Sequence, residues 1–540
     1  MAESEVFNDA FTNGIIGPHT KMVGPVADGG RIRFLTAPGC WGPMITPTLR
    51  GGHEVNVPVA VEGARVGDAV VLRFECIKVH SKASTSGVDK PVEGAFVGDP
   101  YVAKRCPACR EPWPEFEVRG IGQEAVRCKR CGSPASPFRM VHGYTMLLDP
   151  ARGFGLTVEA AKAAQIAERA AEYAQLPPKS RQVSILLFGK GDMPGVAARV
   201  RPFLGQLGTT PAVDIPDSHN AGDFGYFLIN APHPYSITKE QYERDLTDGH
   251  LDVDSVRPGS VLIAPVKVDG AGVYAGDAHA MQGDGEVAGH TTDVAAEAVV
   301  QVEVVKGLRL EGPLLLPPVE DLPPLAKPWR KDEWEELKRY AKELGVELEE
   351  SAPVQVIGSG PTINEAAERG FARASKLFGM SVEEVRNRVT ITGAVEIGRL
   401  PGIVQVSIQV PLRILEKLGL ADIVVARAIQ VTPPLRGVTV FLLFVDRYDF
   451  ARCWHEAEHS DSLRHPASAP FQDVHRRVDI GVHRVVEGAP DQPSRLPNYL
   501  APVPRACLRC AALRHLERRY AAVLRRDSYA LLQHPVAPHV

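Results

Sequence analysis

Two β-branched stretches, VNVPVAV at 55–61 and DAVVLRFECIKV at 68–79, are joined by EGARVG, a turn with two glycines. Such runs crowd a helical turn and suit a pleated strand, so together they read as adjoining strands, and residues 15–100 read as β throughout. The rest of the chain supports this reading. Its 540 residues hold 49 glycines and 45 prolines with 6% aromatics, which favours short strands and many turns over a helical bundle. The stretch 181–305 returns to short strands and Gly-rich turns, and AAEAVVQVEVV at 295–305 alternates as a half-buried strand does.

Helical signals are fewer. LTVEAAKAAQIAERAAEYAQL at 156–176 is rich in Ala and Glu with no internal Gly or Pro, which predicts a helix. LLLPPVEDLPPLAKP, inside 314–330, reads as a proline-rich linker. Beyond it, helices are expected at 331–344, 362–378 and 381–388, the second opened by a capping box from Thr362 and Glu365. Strands follow near 390–396 and 402–409, giving a smaller α+β domain over 331–430. After Lys417 there is no lysine, and eight of the 17 histidines lie beyond position 450. Residues 431–540 therefore read as an appended, disordered tail, with a possible helix at 506–527.

The ends, charge and cysteines bound the compartment and partners. The acidic N-terminus MAESEVFNDAF has no apolar core of a signal peptide, and the most apolar run, VTVFLLFV at 438–445, is too short to span a bilayer. A formal net charge of −4 gives no reason to expect nucleic acid or a membrane. Nine cysteines, four of them in two neighbouring pairs, favour metal binding in a reducing, cytoplasmic setting over disulfides.

Cys106-Pro-Ala-Cys109 and Cys128-Lys-Arg-Cys131 stand 18 residues apart, within 101–140, a stretch that reads as an inserted module. Two such knuckles close a tetrahedral thiolate site, so this spacing predicts a zinc ribbon holding a structural zinc with no open coordination position. The basic neighbours Lys104, Arg105, Arg110, Arg127, Lys129 and Arg130 are diluted by Glu111, Glu115, Glu117 and Glu124 and read as a solvated face.

The second signal is GDAHAMQGDGE at 276–286, which gathers Asp277, His279, Gln282, Asp284 and Glu286. Asp277 and His279 are two apart, so on an extended segment they share a face and can meet one ion. Oxygen and imidazole ligands suit zinc or a harder divalent cation. Composition alone fits an Asp/Gly-rich surface turn as well. Asp248-Gly249-His250-Leu251-Asp252-Val253-Asp254 is a comparable turn before the strand expected at 260–268. Cys507 and Cys510 with His515, and Gly358-Ser-Gly360 before a helix, are weaker candidates. No Gly-x-Ser-x-Gly elbow or Walker A pattern occurs.

At these residues the chain resembles the acetamidase/formamidase family. VPVAVEGARVGD at 57–68 is similar to its VEGAxxGD turn, PFLGQLGTTP at 202–211 to its PFxGxxGxxP segment, and 248–252 to its Gly-Gly-Asn-x-Asp stretch; the hallmark GDxHxxQGDGE stands in full at 276–286. The resemblance spans roughly 15–430 and implies hydrolysis of short linear amides to carboxylate and ammonia. It also implies a mainly β, jelly-roll-like sandwich body over 15–100 and 141–313 with an α/β portion, a bound metal and a homo-oligomer. Metal and catalytic roles pass to Asp252, Asp277, His279, Gln282, Asp284 and Glu286. Three departures bear on the substrate: His250 replaces the family's Asn, 214–247 is longer and brings His219, Asp223 and His233, and the four-cysteine insertion and tail are extra.

The resulting assignment has Asp252, Asp277 and His279 as ligands of a divalent metal, zinc, with one position open for water. Glu286 is the proton-transfer carboxylate, His250 or the metal stabilises the oxyanion, and Gln282 and Asp284 orient the substrate amide or the ligands. Spacing alone does not divide ligating from proton-shuttling carboxylates. Two other readings stay open: hydrolysis of a cyclic amide, a lactam, and a non-catalytic metal-stabilised protein that binds RNA or a partner through its zinc ribbon.

Overall fold

A computed structural model describes residues 4–39, 52–99, 102, 104–186 and 188–429. The described chain is mainly β and arranged in several sheets. The largest has nine strands, in the order Glu5–Asn8, Arg31–Thr36, Ala296–Val305, Ala69–Val79, Val261–Pro265, Leu314–Leu316, Ser351–Ser359, Ile403–Pro411 and Ala394–Arg399. Its backbone is Ala296–Val305, which pairs antiparallel with Ala69–Val79 from Ala296↔Val79 to Val305↔Ala69, with one bulge at Val299/Val300.

Val261–Pro265 and Leu314–Leu316, in the middle of the sheet, are apolar and buried at every position because both of their faces are covered. Val70, Leu72, Leu262 and Ala264 point into one core, shared with Phe34, Val300 and Val302. Their chain neighbours Ala69, Val71, Val261 and Ile263 point into a second core on the opposite face. The first core is closed by a five-stranded assembly that includes Val59–Val61, Phe203–Thr209 and Val273–His279, through Val59, Leu204, Leu207, Val273 and Ala278. The second is closed by the helices Ile363–Phe378 and Val382–Thr392, through Ala366, Ala374, Phe378, Val385 and Val389. Gly358 and Gly370 let the first of these helices lie close on its strand; a Cβ on Gly358 would collide with the Ala366 carbonyl oxygen. That contact accounts for Gly358 by packing.

Two expected segments differ. The stretch 314–330, read as a linker, begins with a central strand: Leu314–Leu316 pairs with Val261–Ile263 on one side and with Gln355–Val356 on the other. The prolines start only at Pro317, beyond the ladder, where a missing N–H breaks no pair. In consequence the strands of 331–430 are not a separate α+β domain but extend the same sheet. The helix expected at 156–176 is also shorter. Phe154–Val158 joins a strand ladder with Thr145–Asp149, so helix starts at Ala160 and is divided into Ala160–Glu168 and Ala170–Ala174. The helix at 331–344 lies as expected and ends on Gly345 in the left-handed region at φ 65°. Thr362 caps the next helix by accepting from Glu365 N at 3.2 Å, while the Glu365 carboxylate takes up the Thr362 hydroxyl at 2.7 Å rather than its backbone N–H.

The four-cysteine segment interrupts a hairpin. Ala83–Pro91 and Phe138–Asp149 pair antiparallel, from Leu147↔Ala83 to Phe138↔Pro91, and the segment 92–137 is inserted at their open end. Among the described residues no helix is long and apolar enough to cross a membrane. The expected tail 431–540, with Cys507, Cys510 and the helix at 506–527, lies outside the described residues.

Candidate active site

The strand Val273–His279 sends Ala278 into the apolar core and turns Asp277 and His279 the other way. Asp277 sits at φ 52°, Asp252 at φ 50° and Glu286 at φ 41°, left-handed conformations that cost a non-glycine residue free energy and gather at working sites. Pairing passes from Leu204↔Ala278 to Gln206↔Gly276, with Gly205 opposite Asp277. The Gly205 carbonyl accepts from Leu251 N at 2.8 Å and Asp252 N at 3.1 Å, which draws the 248–252 turn over the strand. Gly205 must be glycine here: a Cβ would collide with Asp252 Oδ1 and stand 2.9 Å from His279 Nε2. Gly39 closes on the Asp277 carboxylate in the same way.

Six buried side chains converge above these glycines. His250 Nε2 lies 3.0 Å from Asp252 Oδ2 and 3.2 Å from Asp277 Oδ2. His279 Nε2 lies 3.0 Å from Asp277 Oδ1, 3.8 Å from Asp252 Oδ1 and 3.7 Å from Asp293 Oδ1. His53 Nδ1 comes to 3.8 Å from Asp277 Oδ2. Both oxygens of Asp252, Asp277 and Asp293, with Nε2 of His250 and His279, are buried without a hydrogen-bond partner. Buried polar atoms are usually paired, and these eight gather at one place. Two donor sets could hold a metal ion: Asp252, Asp277 and His279, and His53, His250 and Asp277. Ligands about 2.0–2.1 Å from a tetrahedral zinc stand about 3.3 Å apart, and the separations above bracket that figure.

The imidazoles are oriented through their outer nitrogens. His250 Nδ1 is 2.6 Å from the Ser218 carbonyl, which can only accept, so Nδ1 carries a proton; burial opposes a charged ring, but Asp252 and Asp277 outweigh it and hold His250 well above the usual imidazole range. Gln282 donates Nε2 to the Asp252 carbonyl at 2.6 Å, which turns its Oε1 to His279 Nδ1 at 3.1 Å. Gln206 donates to the Asp217 carbonyl at 2.6 Å and turns its Oε1 to His53 Nδ1 at 2.7 Å. A histidine that ligates metal through one nitrogen commonly donates from the other in this manner.

Glu286 lies at the rim. Arg399 Nε is 3.1 Å from Glu286 Oε2 and 3.2 Å from Asp252 Oδ2, and Arg399 Nη1 is 2.9 Å from Asp223 Oδ1. The guanidinium carbon lies 4.0 Å over the Phe224 ring, which stacks on His250 at 17°. Burial, and next the Asp252 charge, push Glu286 up to about 7. Burial followed by Asp277 pushes Asp293 up to about 8. Burial works against a charged His279, but Asp277 outweighs it and lifts the ring to about 10. Burial likewise opposes ionisation of Asp277, and His279 and His53 hold its carboxyl well below the usual range.

The structure thus brings together Asp252, Asp277, His279, His250, Gln282 and Glu286 from the expected set. Asp284 is exposed between two glycines and stands apart. Asp248 and Asp254 of the upstream turn serve the frame, pairing with Arg373 at 2.7 Å and with Arg201. His219 is buried against Asp99 at 2.7 Å, and Asp223 holds Arg399. His53, Asp293 and Arg399 were not expected. His53 stands two residues before the first β-branched run, Asp293 pairs with His279 across strands, and Arg399 comes from the ninth strand of the large sheet.

The sequence model described as the Acetamidase/Formamidase family matches residues 40–417, a span that contains nearly all of this site. The chain belongs to the acetamidase/formamidase family. Among solved structures it is similar to a predicted acetamidase/formamidase from Thermoanaerobacter tengcongensis, with 16% identity, 77% of this chain and 98% of that chain covered, and a TM-score of 0.43. An acetamidase from Yersinia enterocolitica gives 16%, 77%, 94% and 0.44, and a gamma lactamase from Delftia acidovorans gives 15%, 75%, 90% and 0.33. A comparison with curated proteins finds no match.

This acetamidase/formamidase chain carries a second donor cluster in its insertion. Cys106 Sγ and Cys131 Sγ are 3.6 Å apart, and Cys109 Sγ and Cys128 Sγ 3.8 Å. Four thiolates about 2.3 Å from a tetrahedral ion stand about 3.8 Å apart, so the sulphurs are placed to hold a metal. The two knuckles repeat one fold: Arg110 N donates to Cys106 O and Gly132 N to Cys128 O, each from a left-handed residue at φ 61° and 72°. Lys104 departs from Arg110, Lys129 and Arg130, which are exposed; it is buried, and burial pushes its amine down to about 7.

Proposed function

We propose that this protein hydrolyses short linear amides such as formamide and acetamide to the carboxylate and ammonia, with a divalent cation, zinc, held by Asp252, Asp277 and His279. The reading is carried by one observation: the buried, unpaired lone pairs of these residues converge beside a carboxyl group whose affinity for protons is near neutral. Bound there, the cation supplies Lewis-acid polarisation of a carbonyl and a lowered pKa for water.

The protein groups supply the rest. Glu286, raised by burial and by Asp252, accepts a proton at neutral pH and returns it to the departing nitrogen. Arg399 holds Glu286 and Asp252 in one fork and keeps the proton-transfer group beside the ligands. Gln282 fixes the His279 ring. His250 turns Nε2 to the two aspartates, 3.0 Å from Asp252 and 3.2 Å from Asp277. The full burial of Asp252, Asp277 and His279 suits a small uncharged substrate. The four cysteines hold a separate structural zinc.

The test is ammonium release from formamide and acetamide, with a five-membered lactam alongside, before and after dialysis against a chelator. Turnover of a linear amide that is lost with the metal and restored by zinc is expected. Turnover of the lactam alone would reassign the substrate, and no turnover by fully loaded protein would overturn the enzyme reading.

A further inference from the structure

His250 is held from behind by a chain of buried contacts that begins outside the site. Its Nδ1 meets the Ser218 carbonyl at 2.6 Å, and its backbone N donates to the Asn220 carbonyl at 3.3 Å. Both carbonyls belong to one turn, in which Asp217, Ser218, His219 and Asn220 are completely buried. The His219 ring lies between two partners: Nδ1 is 2.9 Å from Ser218 Oγ, and Nε2 is 2.7 Å from Asp99 Oδ2. Asp99 comes from the segment 92–137 that carries the four cysteines. From this geometry we propose that Asp99 and His219 are positioning residues, which hold the 217–220 turn and through it the His250 ring. The proposal rests on the reading that the buried cluster is the active site of an amidase, and it extends the support of that site to the root of the insertion.

Three observations carry it. The first is the burial of the turn. Turns usually run over the surface, where water satisfies their backbone groups. This one is sealed inside, and side chains take the place of water: His219 ties Ser218 to Asp99, which is itself only 3% exposed.

The second is a parallel route through an aromatic ring. Phe224, on the helix Gly222–Tyr226 that follows the turn, lies edge-on to His219 with centroids 5.8 Å apart. The same ring stacks on His250 with centroids 5.2 Å apart. His219 therefore supports His250 through the Ser218 backbone and again through the Phe224 face.

The third is that the turn also seats His53. The Asp217 carboxylate accepts from His53 N at 2.5 Å, and the Asp217 carbonyl accepts from Gln206, whose Oε1 faces His53 Nδ1. One buried turn thus orients two histidines of the site. Asp99 is pressed against it by close packing: a Cβ on the preceding Gly98 would stand 3.1 Å from Pro232 Cδ.

The test separates support of His250 from stability alone. Asp99→Ala removes the oxygen that His219 Nε2 meets, and kcat on formamide or acetamide should fall about 10–100-fold, the loss usual when the outer partner of a site histidine is removed. Asp99→Asn keeps an oxygen at that place and should recover most of the rate. Asp99→Ala combined with His219→Phe should be no slower than His219→Phe alone, because Asp99 acts through that ring. Crystal structures of the wild type and Asp99→Ala give a readout independent of turnover: in the variant the His250 ring should leave the Ser218 carbonyl and turn from Asp252 and Asp277. Should Asp99→Ala not fold, Ser218→Ala replaces it, with Ser218→Thr as the conservative variant and the same expectations. Wild-type kcat in Asp99→Ala, an equal loss in Asp99→Asn, additive losses in the double variant, or a His250 ring that keeps its place overturns the proposal. Wild-type protein that turns over no amide overturns the amidase reading instead, and the crystal structures then decide the positioning by themselves.

Discussion

Arg399 and Glu286 meet at 3.1 Å across 113 residues of chain, and both are buried. The contact ties the ninth strand of the large sheet to the turn that ends the family's hallmark motif. Backbone pairing reinforces it: Leu400 N donates to Gly285 O at 2.8 Å and Gly285 N to Gly398 O at 3.1 Å. A single guanidinium therefore serves three carboxylates drawn from three separate segments, Asp223, Asp252 and Glu286.

Removing that guanidinium leaves buried carboxylates uncompensated. Arg399→Met should lower stability by about 3–5 kcal/mol, the usual cost of breaking a buried ion pair from one side. Urea denaturation monitored by tryptophan fluorescence measures it. Arg399→Lys should recover only part of the loss, because an ammonium cannot make the same planar fork.

Glu286→Gln preserves shape and the contact with Arg399 but cannot take a proton. The expected result is unchanged metal content and melting temperature with kcat on formamide or acetamide reduced by about 10²–10⁴. Wild-type turnover in this variant would remove Glu286 from proton transfer.

Loss of a ligand should act differently. His279→Ala should lose both bound metal and turnover, and added zinc should not restore the rate. Elemental analysis beside the ammonium assay distinguishes this from the Glu286 variant, which keeps its metal.

Gly205 tests the floor of the site. In Gly205→Ala the new methyl group meets Asp252 Oδ1 and His279 Nε2, so metal affinity and turnover should both fall although no ligand has changed. Isothermal titration with zinc after chelation gives the affinity. Binding as tight as wild type would show that the floor can yield.

Cys106→Ser should lose about one zinc per chain and open the segment 101–140 to proteolysis. The hairpin below it keeps its register, so amidase metal and activity should persist. Limited trypsin digestion followed by mass spectrometry locates the cleavage.

What could be read before folding was what local spacing encodes. Asp277 and His279 share a face because a strand alternates, and the two cysteine pairs form knuckles because each spans one turn. His53, Asp293 and Arg399 carry no such signal. Asp293 arrives by pairing with His279, Arg399 by pairing with Gly285 and His53 by bonds to Asp217 and Gln206, none of which local spacing encodes, and an isolated His or Arg in sequence looks like any other. Asp284 was included because it lies inside the motif, but the glycines on both sides turn it to solvent. Leu314–Leu316 was hidden by the prolines that follow, although its position between Val261–Pro265 and Ser351–Ser359 makes it the hinge on which the α+β segment becomes part of the main sheet.

The placement of Arg399 has a consequence for biogenesis. A ribosome releases the turns at 248–252 and 276–286 long before it releases residue 399. During that interval Asp223, Asp252 and Glu286 exist without their shared guanidinium, and the ninth strand has not closed the sheet edge. A nascent or prematurely terminated chain is therefore kept from assembling the complete centre, and catalytic competence is acquired only late in synthesis.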